Sequence, residues 1–386
     1  MDQDFQPPYS KRVFSLGAFA TLLCYSMTTS QALLPVVLSA DGISRASVGF
    51  AMSATTISVL IFGIISGLII SKYGSLTGVV LGTAIMLCAH SSLEFLPRET
   101  WAIFSARFVH GIGAGIGLPA ALAFATLMVQ GRNATALFGM FTSAIPGANL
   151  IGPPLGEWYL SRFGTGGFFL VTALPGLVSL VIFIGLLVHL GTQRTERKVS
   201  LHYFGLLKRI DLYRPYIGLI VIGSFWGYVI SFISVAFADK SLAVSLFFVP
   251  MTLGLFFGRF VGLSLVRSLS NQTTGMLAIG LTASSLLATS MLDGAFLAGF
   301  AGVMFGIGYS LAYPTFSMWI SSTVTDEMKG QAVALANTIF NFVMFAAPAV
   351  CAFGLGYMSI AAYQFWLAAI LFSLAVIGYV LLGKRA

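Results

Sequence analysis

Charged side chains are scarce in this sequence, and their scarcity excludes a soluble globular domain. Only 8% of the 386 residues are Asp, Glu, Lys or Arg, whereas 58% are hydrophobic. A soluble domain carries about 25% charged residues, because its surface must be compatible with water. Too few polar groups are available here to cover such a surface. The composition therefore predicts a protein whose solvent is the lipid bilayer.

Cysteine frameworks, metal-ligand spacings and nucleotide-binding loops are also lacking. The three cysteines, Cys24, Cys88 and Cys351, all lie in long apolar runs and have no metal-ligand spacing. Neither a disulfide framework nor a zinc site is therefore expected. No Gly-rich loop followed by Lys and Ser/Thr is present to hold a phosphate, so no ATP-driven step is implied. We expect neither an enzyme nor any metal or cofactor.

The sequence instead contains a series of long apolar runs. A spanning helix needs about 20 mainly apolar residues. We count twelve such runs, at 13–35, 46–70, 76–96, 101–129, 136–158, 166–190, 214–237, 242–266, 272–292, 295–320, 331–353 and 358–382. The short polar start has no cleavable signal-peptide pattern, so the first run is expected to be an uncleaved anchor. The prediction is an all-α membrane protein with twelve transmembrane helices.

The net charge of +8 follows the predicted membrane topology. With twelve spans, one side of the membrane carries both chain ends and fourteen basic residues, namely Lys11, Arg12, Lys72, Arg132, Arg194, Arg197, Lys198, Lys208, Arg209, Arg214, Arg267, Lys329, Lys384 and Arg385. The opposite side carries Arg45, Arg98, Arg162 and Lys240. Because Lys and Arg are enriched in cytoplasmic loops, we expect cytoplasmic termini and an inner (plasma) membrane protein. The charge needs no nucleic-acid partner.

The two halves of the chain align with a constant offset of 195 residues. The matched pairs are Gly63 with Gly258, Gly67 with Gly262, Lys72 with Arg267, Gly111 with Gly306, Gly113 with Gly308, Pro119 with Pro314, and Pro153 with Pro348. The predicted domains are an N-terminal six-helix bundle at 1–190, a cytoplasmic linker at 191–213 and a pseudo-symmetric six-helix bundle at 214–386. Repeated halves are typical of transporters that alternate access to a site between them.

With this repeat the sequence resembles the major facilitator superfamily over its whole length. The family has a loop after the second span of the form G-x-L-a-D-r-x-G-r-k, which reads GLIISKYGSL at 67–76 here. Gly67, Lys72 and Gly74 match, whereas Ser71 replaces the aspartate. In the family this loop locks neighbouring helices in one state through charge contacts. The loss of most of those charges implies a weak gate in this chain.

The fourth span carries a second family motif, RFVHGIGAG at 107–115. An arginine inside a bilayer costs about 2.5–3.5 kcal/mol on insertion scales, so another group must compensate its charge. In relatives with this motif the arginine is tied to proton coupling, and the resemblance implies that role for Arg107. The alternative is that Arg107 only hydrogen-bonds helix carbonyls and holds the fourth span in place.

The fifth span contains GPPLGEW at 152–158 inside an otherwise continuous apolar run. Exporters of the family, the drug–proton antiporters, carry g-x8-G-x3-G-P-x2-G-G in this span, and the chain resembles this branch. The pattern falls here on Gly139, Ala148, Gly152, Pro153, Gly156 and Glu157. Four of the six positions match, and the resemblance implies export. We expect the small residues to let this span approach a helix of the other half and the prolines to bend it near its outer end. An ordinary kinked membrane helix is the alternative.

Two arginines, and no carboxylate, lie well within the predicted spans. They are Arg107 and Arg259, the latter about 12 Å from the cytoplasmic end of the eighth span at 1.5 Å per residue. A buried guanidinium suits a carboxylate or phosphate, which it can hold bidentately. We hypothesise that Arg259 faces the central cavity and, with Arg107, holds an anionic or zwitterionic substrate. A structural contact with backbone or a neighbouring span is the alternative for Arg259.

The coupled proton needs a carrier, and His110 is a candidate because it lies one helical turn after Arg107 and titrates near neutral pH. A histidine satisfied within the core is the alternative, and Asp41 and Glu157 are rival proton sites. The other residues expected to line the substrate cavity are polar or aromatic: Gln31, Asn149, Trp226, Tyr228, Tyr309, Tyr313, Asn337 and Asn341. Aromatic walls with few polar anchors suit small organic ligands.

These observations predict a monomeric secondary transporter, with protons and a small molecule as its partners. Proton-coupled efflux of an anionic or zwitterionic metabolite or metallophore is favoured. Proton-coupled import of an organic anion and multidrug export are the alternatives within transport. A non-transporting receptor or scaffold is a different class, which the internal repeat and the intramembrane arginines disfavour.

Overall fold

The computed structural model describes residues 11–128, 134–192, 206–266, 268–325 and 328–383. Within these ranges the chain is almost entirely helical and contains no strand. Helices satisfy every backbone group internally, which hydrocarbon surroundings require. Several residues named above for the topology and the repeat lie outside the described residues, namely Arg132, Arg194, Arg197, Lys198, Arg267, Lys384 and Arg385.

The chain divides into two compact units, Met1–Ile43 with Ala51–Lys198, and Ser44–Phe50 with Val199–Ala386. The helices up to residue 190 are α1 (Lys11–Ser30), α2 (Leu34–Ala40), α3 (Arg45–Tyr73), α4 (Ser75–Ser92), α5 (Thr100–Met128), α6 (Ala134–Thr142), α7 (Ala144–Gly147), α8 (Gly152–Phe163) and α9 (Phe168–Leu190). Those after residue 212 are α10 (Tyr213–Ala238), α11 (Ser245–Phe257), α12 (Leu263–Leu265), α13 (Asn271–Ser290), α14 (Ala295–Ser322), α15 (Lys329–Leu355) and α16 (Ile360–Gly383).

Among the described residues, nine helical stretches are long and apolar enough to cross a membrane. A tenth is the pair Ser47–Gly63 and Ile65–Tyr73, which meet at a bend of 49° within α3. The two remaining apolar runs are helical but weaker candidates. The fifth run is interrupted, and α13 opens on the polar residues NQTT. Twelve spans therefore remain a prediction, whereas a multi-pass helical architecture is observed.

Small residues bring α4 and α5 into backbone contact in the first unit. A Cβ added to Gly82 would lie 2.5 Å from the Cα of Gly117, and one added to Gly113 would lie 2.6 Å from the carbonyl oxygen of Gly82. Such distances leave no room for a side chain between the two helices. The glycine-rich run after Arg107 therefore serves helix packing, as small residues do in membrane helices.

The internal repeat reappears in the packing within each unit. A Cβ on Gly111 would lie 2.7 Å from the carbonyl oxygen of Thr55 on α3, and one on Gly306 would lie 2.0 Å from that of Met251 on α11. The next pair behaves alike, because Gly113 packs on α4 and Gly308 on α13. Glycines matched by the 195-residue offset thus hold equivalent helix pairs together.

The fifth apolar run differs from its prediction in how it is interrupted. Helix α7 ends at Gly147, a 3₁₀ turn covers Ala148–Leu150, and α8 begins at Gly152 with prolines in its first turn. A proline lacks the backbone donor that a continuing helix needs, but the first turn needs no such donor. The prolines therefore lie in the first turn of a helix that follows a break, and a bend of this span near its outer end stays a prediction.

Gly152 of the fifth run packs closely against α1. A Cβ on Gly152 would lie 2.2 Å from Thr29 Oγ1 and 2.3 Å from the carbonyl oxygen of Ser26, both on α1. The hydroxyl of Thr29 donates to the carbonyl oxygen of Ala148 at 3.1 Å, which satisfies a carbonyl at the break. Gly152 thus packs against the first span of its own unit, and the expected approach of the fifth run to the other half stays a prediction.

Candidate functional site

A buried polar network in the first unit is built around Arg107. The side chain is only 7% exposed, and its Nη1 donates to Gln31 Oε1. Gln31 lies in the 3₁₀ turn Gln31–Leu33 that separates α1 from α2. The carbonyl oxygen of Arg107 accepts from Thr55 Oγ1 at 3.2 Å. The compensation that an intramembrane arginine requires therefore includes a side-chain amide from the first span.

The network continues from Gln31 to two residues that the sequence patterns did not single out. Gln31 Nε2 and His90 Nδ1 are 2.9 Å apart, as are His90 Nε2 and Thr172 Oγ1. Thr172 Oγ1 in turn donates to the carbonyl oxygen of Phe168 at 2.7 Å. These contacts connect α5, the first span, α4 and α9. We call Arg107, Gln31, His90 and Thr172 the relay.

The direction of every hydrogen bond in the relay follows from the chemistry of its first member. A guanidinium only donates, so the oxygen of Gln31 must accept and its NH2 group must donate to His90. His90 Nδ1 is then the acceptor, which leaves the ring hydrogen on Nε2, where it is donated to Thr172. His90 in this state is therefore the neutral Nε2–H tautomer.

His110 lies near the relay but outside it. The side chain is 2% exposed, and neither ring nitrogen has a hydrogen-bond partner among the described residues. It interacts electrostatically with Arg107 and His90. His110 is therefore not a core histidine whose ring nitrogens are hydrogen-bonded, which is the alternative drawn from the sequence. Leaving a buried polar group without a partner costs about 1–3 kcal/mol.

The other candidate proton sites are carboxylates. Asp41, at the end of α2, forms an ion pair with Arg98 at 3.0 Å. Glu157 is half-buried on α8. A carboxylate that the sequence analysis did not consider, Glu94, accepts the backbone N–H groups of Gly167 at 2.6 Å and Phe169 at 3.2 Å at the start of α9.

Asn149 and the loop after the second span have local roles. Asn149 is buried, and its Nδ2 donates to the carbonyl oxygen of Pro146 at 3.0 Å, within the break of the fifth run. Gly74 has φ +88°, a conformation that glycine adopts readily, and α4 begins directly after it. Lys72 Nζ lies 5.0 Å from the ring centroid of Tyr73. Gly67 is half-buried on α3, and a Cβ on Gly139 would meet no atom within 4 Å.

A second cluster lies in the second unit and brings together most of the residues predicted there. Trp226 of α10 stacks on Tyr309 of α14, with ring centroids 4.2 Å apart and planes at 18°. Phe305 extends this stack, at 5.9 Å from Trp226. The Trp226 and Tyr309 side chains are half-buried. We call this group the aromatic stack.

Polar groups from α15 adjoin the aromatic stack. Phe340 lies 6.1 Å from Tyr309 and 5.3 Å from Tyr313 between ring centroids. The hydroxyl of Tyr313 donates to Asn337 Oδ1 at 3.1 Å, and Asn341 Nδ2 donates to the same oxygen at 2.9 Å. The predicted i, i+4 pair of asparagines is therefore a hydrogen-bonded pair.

Arg259 adds a positive charge next to this cluster. It lies in a π-helical turn, Gly258–Gly262, that follows α11. Such wider turns are rare and are frequent at functional sites. A Cβ on Gly258 would lie 1.9 Å from Ser310 Oγ, so this turn packs directly on α14. The half-buried guanidinium interacts electrostatically with the hydroxyl of Tyr309.

Tyr228 does not join the cluster, although it is only two residues from Trp226. It is fully buried and packs against Phe232 and against Tyr363 of α16, with centroid distances of 6.2 and 5.9 Å. Two residues along a helix are separated by about 200°, so the two rings face opposite sides. Tyr228 thus lies in the interior of the second unit, away from the aromatic stack.

Comparison with known proteins adds relatives and a family. A curated relative, "Multi-drug resistance efflux pump PmrA" of Streptococcus pneumoniae, is 26% identical over 164 residues, which are 42% of this chain and 40% of the pump. "Probable anion transporter 4, chloroplastic" of Arabidopsis thaliana is 24% identical over 176 residues, which are 45% of this chain and 33% of that protein. The chain thus matches less than half the length of these relatives.

The fold itself has solved counterparts. The structure of a POT family transporter in complex with 5-aminolevulinic acid matches with a TM-score of 0.78 at 14% identity, covering 97% of this chain and 96% of that one. A family model described as Major Facilitator Superfamily matches residues 14–348, which is most of the chain. Members of this family are transporters of small molecules rather than enzymes. The chain belongs to the Major Facilitator Superfamily.

Proposed function

We propose that this protein is a secondary active transporter that exports a small organic anion or zwitterion in exchange for protons, by alternating access. The observation that carries the substrate class is the position of Arg259 beside the aromatic stack. A guanidinium attracts a carboxylate or phosphate, and stacked rings offer apolar area to the rest of an organic molecule. Proton exchange is proposed because the first unit buries Arg107 beside two titratable histidines, His90 and His110.

The roles of the two arginines differ in this proposal. The Nη1 group of Arg107 is engaged by Gln31 within the first unit, which favours a coupling role over a direct grip on substrate. Arg259 is half-buried and interacts with Tyr309, a residue of the aromatic stack. We therefore assign substrate binding chiefly to Arg259, with Trp226, Tyr309 and the Asn337–Asn341 pair completing the site.

Two alternative substrates or directions have specific support. Multidrug export is supported by the name of the pneumococcal relative and by the aromatic stack, because indole and phenol rings also attract cations. Import of an organic anion is supported by the name of the plant relative. Both relatives match less than half of the chain, so neither name decides between these functions.

A binding experiment separates the substrate classes. Thermal unfolding of the purified protein is measured with citrate, glutamate or tetraphenylphosphonium, because a ligand of the folded state raises the unfolding temperature by mass action. We expect citrate or glutamate to stabilise the wild type but not Arg259→Ala. Arg162→Ala is the matched control, since Arg162 lies on α8 over the ring of Trp158, at 5.3 Å from its centroid.

The opposite outcomes are equally informative. Stabilisation by tetraphenylphosphonium alone would replace the anion proposal with multidrug export. Equal stabilisation of wild type and Arg259→Ala by citrate would remove Arg259 from the site. Transport of the stabilising compound is then followed in proteoliposomes with an imposed pH gradient. Loss of movement on dissipating the gradient supports proton coupling, and the direction of accumulation distinguishes export from import.

A further inference from the structure

We infer that His90 is the residue that binds the coupled proton, and that its protonation releases Arg107 from Gln31. This inference rests on the proposed function, since it names the proton carrier of that exchange. From the sequence, His110 is instead the candidate carrier of the coupled proton. The support is the one-way order of hydrogen bonds in the relay, in which His90 is the only ionisable acceptor.

The relay excludes a proton on His90 as long as Arg107 is bound to Gln31. In the observed state Gln31 Nε2 donates to His90 Nδ1 across 2.9 Å. A proton added at Nδ1 would make this nitrogen a donor, and it would then face the NH2 group of Gln31, which is also a donor. Gln31 would have to turn its amide so that its oxygen accepts from the new N–H. Its NH2 group would then face the guanidinium, which also only donates, and the bond to Arg107 would break.

Charge repulsion acts in the same direction as the hydrogen bonds. Arg107 and His90 interact electrostatically in the buried interior of the first unit. An imidazolium next to a buried guanidinium is unfavourable, because like charges repel strongly where water is excluded. Proton uptake at His90 and displacement of Arg107 are therefore two parts of one event. By linkage, whatever draws Arg107 away favours the proton, and the proton favours the displaced arginine.

Among the described residues, the two ring nitrogens of His90 bond to Gln31 and Thr172, and neither bonds to a carboxylate. From α5, the ionisable neighbours are Arg107 and His110. The first span contributes the non-ionisable Gln31, and α9 contributes the hydroxyl of Thr172 and the ring of Phe169, whose centroid is 5.7 Å from that of His90. The nearest carboxylate along the chain is Glu94, which is engaged by the backbone at the start of α9.

The position of Gln31 suits a residue that must change partners. It lies in a 3₁₀ turn between two α-helical segments of one span, and such turns within long helices often mark hinges. Rotation of its amide moves no backbone atom. His90 lies in the last turn of α4. The proton passes from a hydronium ion to the lone pair of Nδ1, so an O–H bond of the hydronium breaks, an N–H bond forms and water is left.

The first test observes the proton on His90 directly. The chain has four histidines, so protein labelled with nitrogen-15 at the imidazoles gives four ring systems in an NMR spectrum, and His90→Asn identifies one of them. We expect the His90 signals to show the Nε2–H tautomer at high pH and the imidazolium at low pH. The Gln31 amide signals should shift over the same pH steps. A His90 ring that stays neutral throughout while His110 becomes charged would overturn the inference.

The second test measures coupling. Proteoliposomes are given a pH gradient, and uptake of radiolabelled citrate, glutamate and tetraphenylphosphonium is compared with exchange at equal pH. In His90→Asn the amide oxygen can still accept from Gln31 but cannot become a cation. We expect gradient-driven accumulation to fall to the level of protein-free liposomes, while exchange at equal pH persists. His189→Asn, at the exposed end of α9, is the matched control.

These outcomes separate the two proposals. If the wild type moves none of the three probes with the gradient, the proposed function fails, and the NMR titration still decides whether His90 binds a proton. If the wild type is coupled and His90→Asn is equally coupled, the function stands and the inference about His90 is wrong. Loss of coupling in His110→Asn but not in His90→Asn would assign the proton to His110 instead.

Discussion

The indole of Trp226 lies nearly flat on the phenol ring of Tyr309, with centroids 4.2 Å apart. The two residues come from α10 and α14, which are far apart in the sequence but packed together in the second unit. Arg259 is coupled electrostatically to Tyr309, so in the proposed site a planar organic anion would meet both apolar area and positive charge. This relationship is the structural basis of the proposed substrate site.

Replacing Trp226 by Ala should weaken binding of the stabilising anion without unfolding the protein. An aromatic pair contributes about 0.5–1.5 kcal/mol beyond buried area, which corresponds to roughly 2–12-fold in affinity at about 1.4 kcal/mol per tenfold change. The dissociation constant is read from the dependence of the unfolding temperature on ligand concentration. Trp101→Ala is the control, because Trp101 is 63% exposed. An unchanged affinity in Trp226→Ala would remove the aromatic stack from the site.

Replacing Gln31 by Met should destabilise the first unit through the buried charge that it leaves behind. The substitution keeps the approximate volume but removes the acceptor of Arg107 and the donor to His90. Hydrogen bonds to charged groups contribute about 1.5–3 kcal/mol each. Thermal unfolding should therefore occur at a clearly lower temperature than in the wild type.

Gln364→Met is the matched control for that measurement. Gln364 is 1% exposed and donates to Thr289 at 3.3 Å, so its loss removes a bond between neutral groups. Such a bond contributes about 0.5–1.5 kcal/mol. An equal or larger loss of stability in Gln364→Met would contradict the charge-based account of Gln31.

Adding a methyl group at Gly306 should be strongly destabilising. The new Cβ would lie 2.0 Å from the carbonyl oxygen of Met251, a backbone atom that cannot turn away, so α11 and α14 would have to separate. Gly185→Ala provides the contrast, because nothing lies within 4 Å of its Cβ position in α9. There, alanine gains up to about 1 kcal/mol in helix propensity. Unfolding temperatures of the two variants should shift in opposite directions.

Removing the carboxylate of Glu94 should weaken the start of α9. The side chain accepts two backbone N–H groups, at 2.6 and 3.2 Å, that a helix start otherwise leaves without partners. Loss of a helix cap costs about 0.5–2 kcal/mol. Amide hydrogen exchange should accelerate in the first turn of α9 in Glu94→Ala. Glu99→Ala is the control, since Glu99 accepts only from the exposed Trp101 side chain among its described side-chain contacts. Unaltered exchange at Gly167 and Phe169 would contradict this role.

The family and the helical class could be predicted from the sequence, because long apolar runs and a repeated glycine pattern are properties of the chain itself. Most of the second-unit cluster was also predictable. Trp226, Tyr309, Tyr313, Asn337 and Asn341 were selected as polar or aromatic residues in apolar helices, and the structure brings them together. Tyr228 was selected by the same rule but faces the opposite side of α10.

The relay could be predicted only in part. Arg107 and Gln31 stood out as polar groups in apolar runs, but His90 is 59 residues from Gln31 and 82 from Thr172 along the chain. No local pattern connects positions so far apart. The available signal was an isolated histidine near the end of the third apolar run. The break in the fifth run was missed for a related reason, since a proline pair does not distinguish a bent helix from one that begins anew.

The contact between Gly82 and Gly117 sets a mechanical limit on the first unit. Helices that touch backbone to backbone cannot slide past one another without a clash, so we expect α4 and α5 to move as one rigid pair. His90 lies on α4 and Arg107 on α5, so the distance between their backbones is nearly constant. Gln31 lies on a different span, in a turn of looser helical geometry. The change that connects or disconnects Arg107 and His90 is therefore assigned to the Gln31 side chain, which turns its amide on the first span while α4 and α5 keep their spacing.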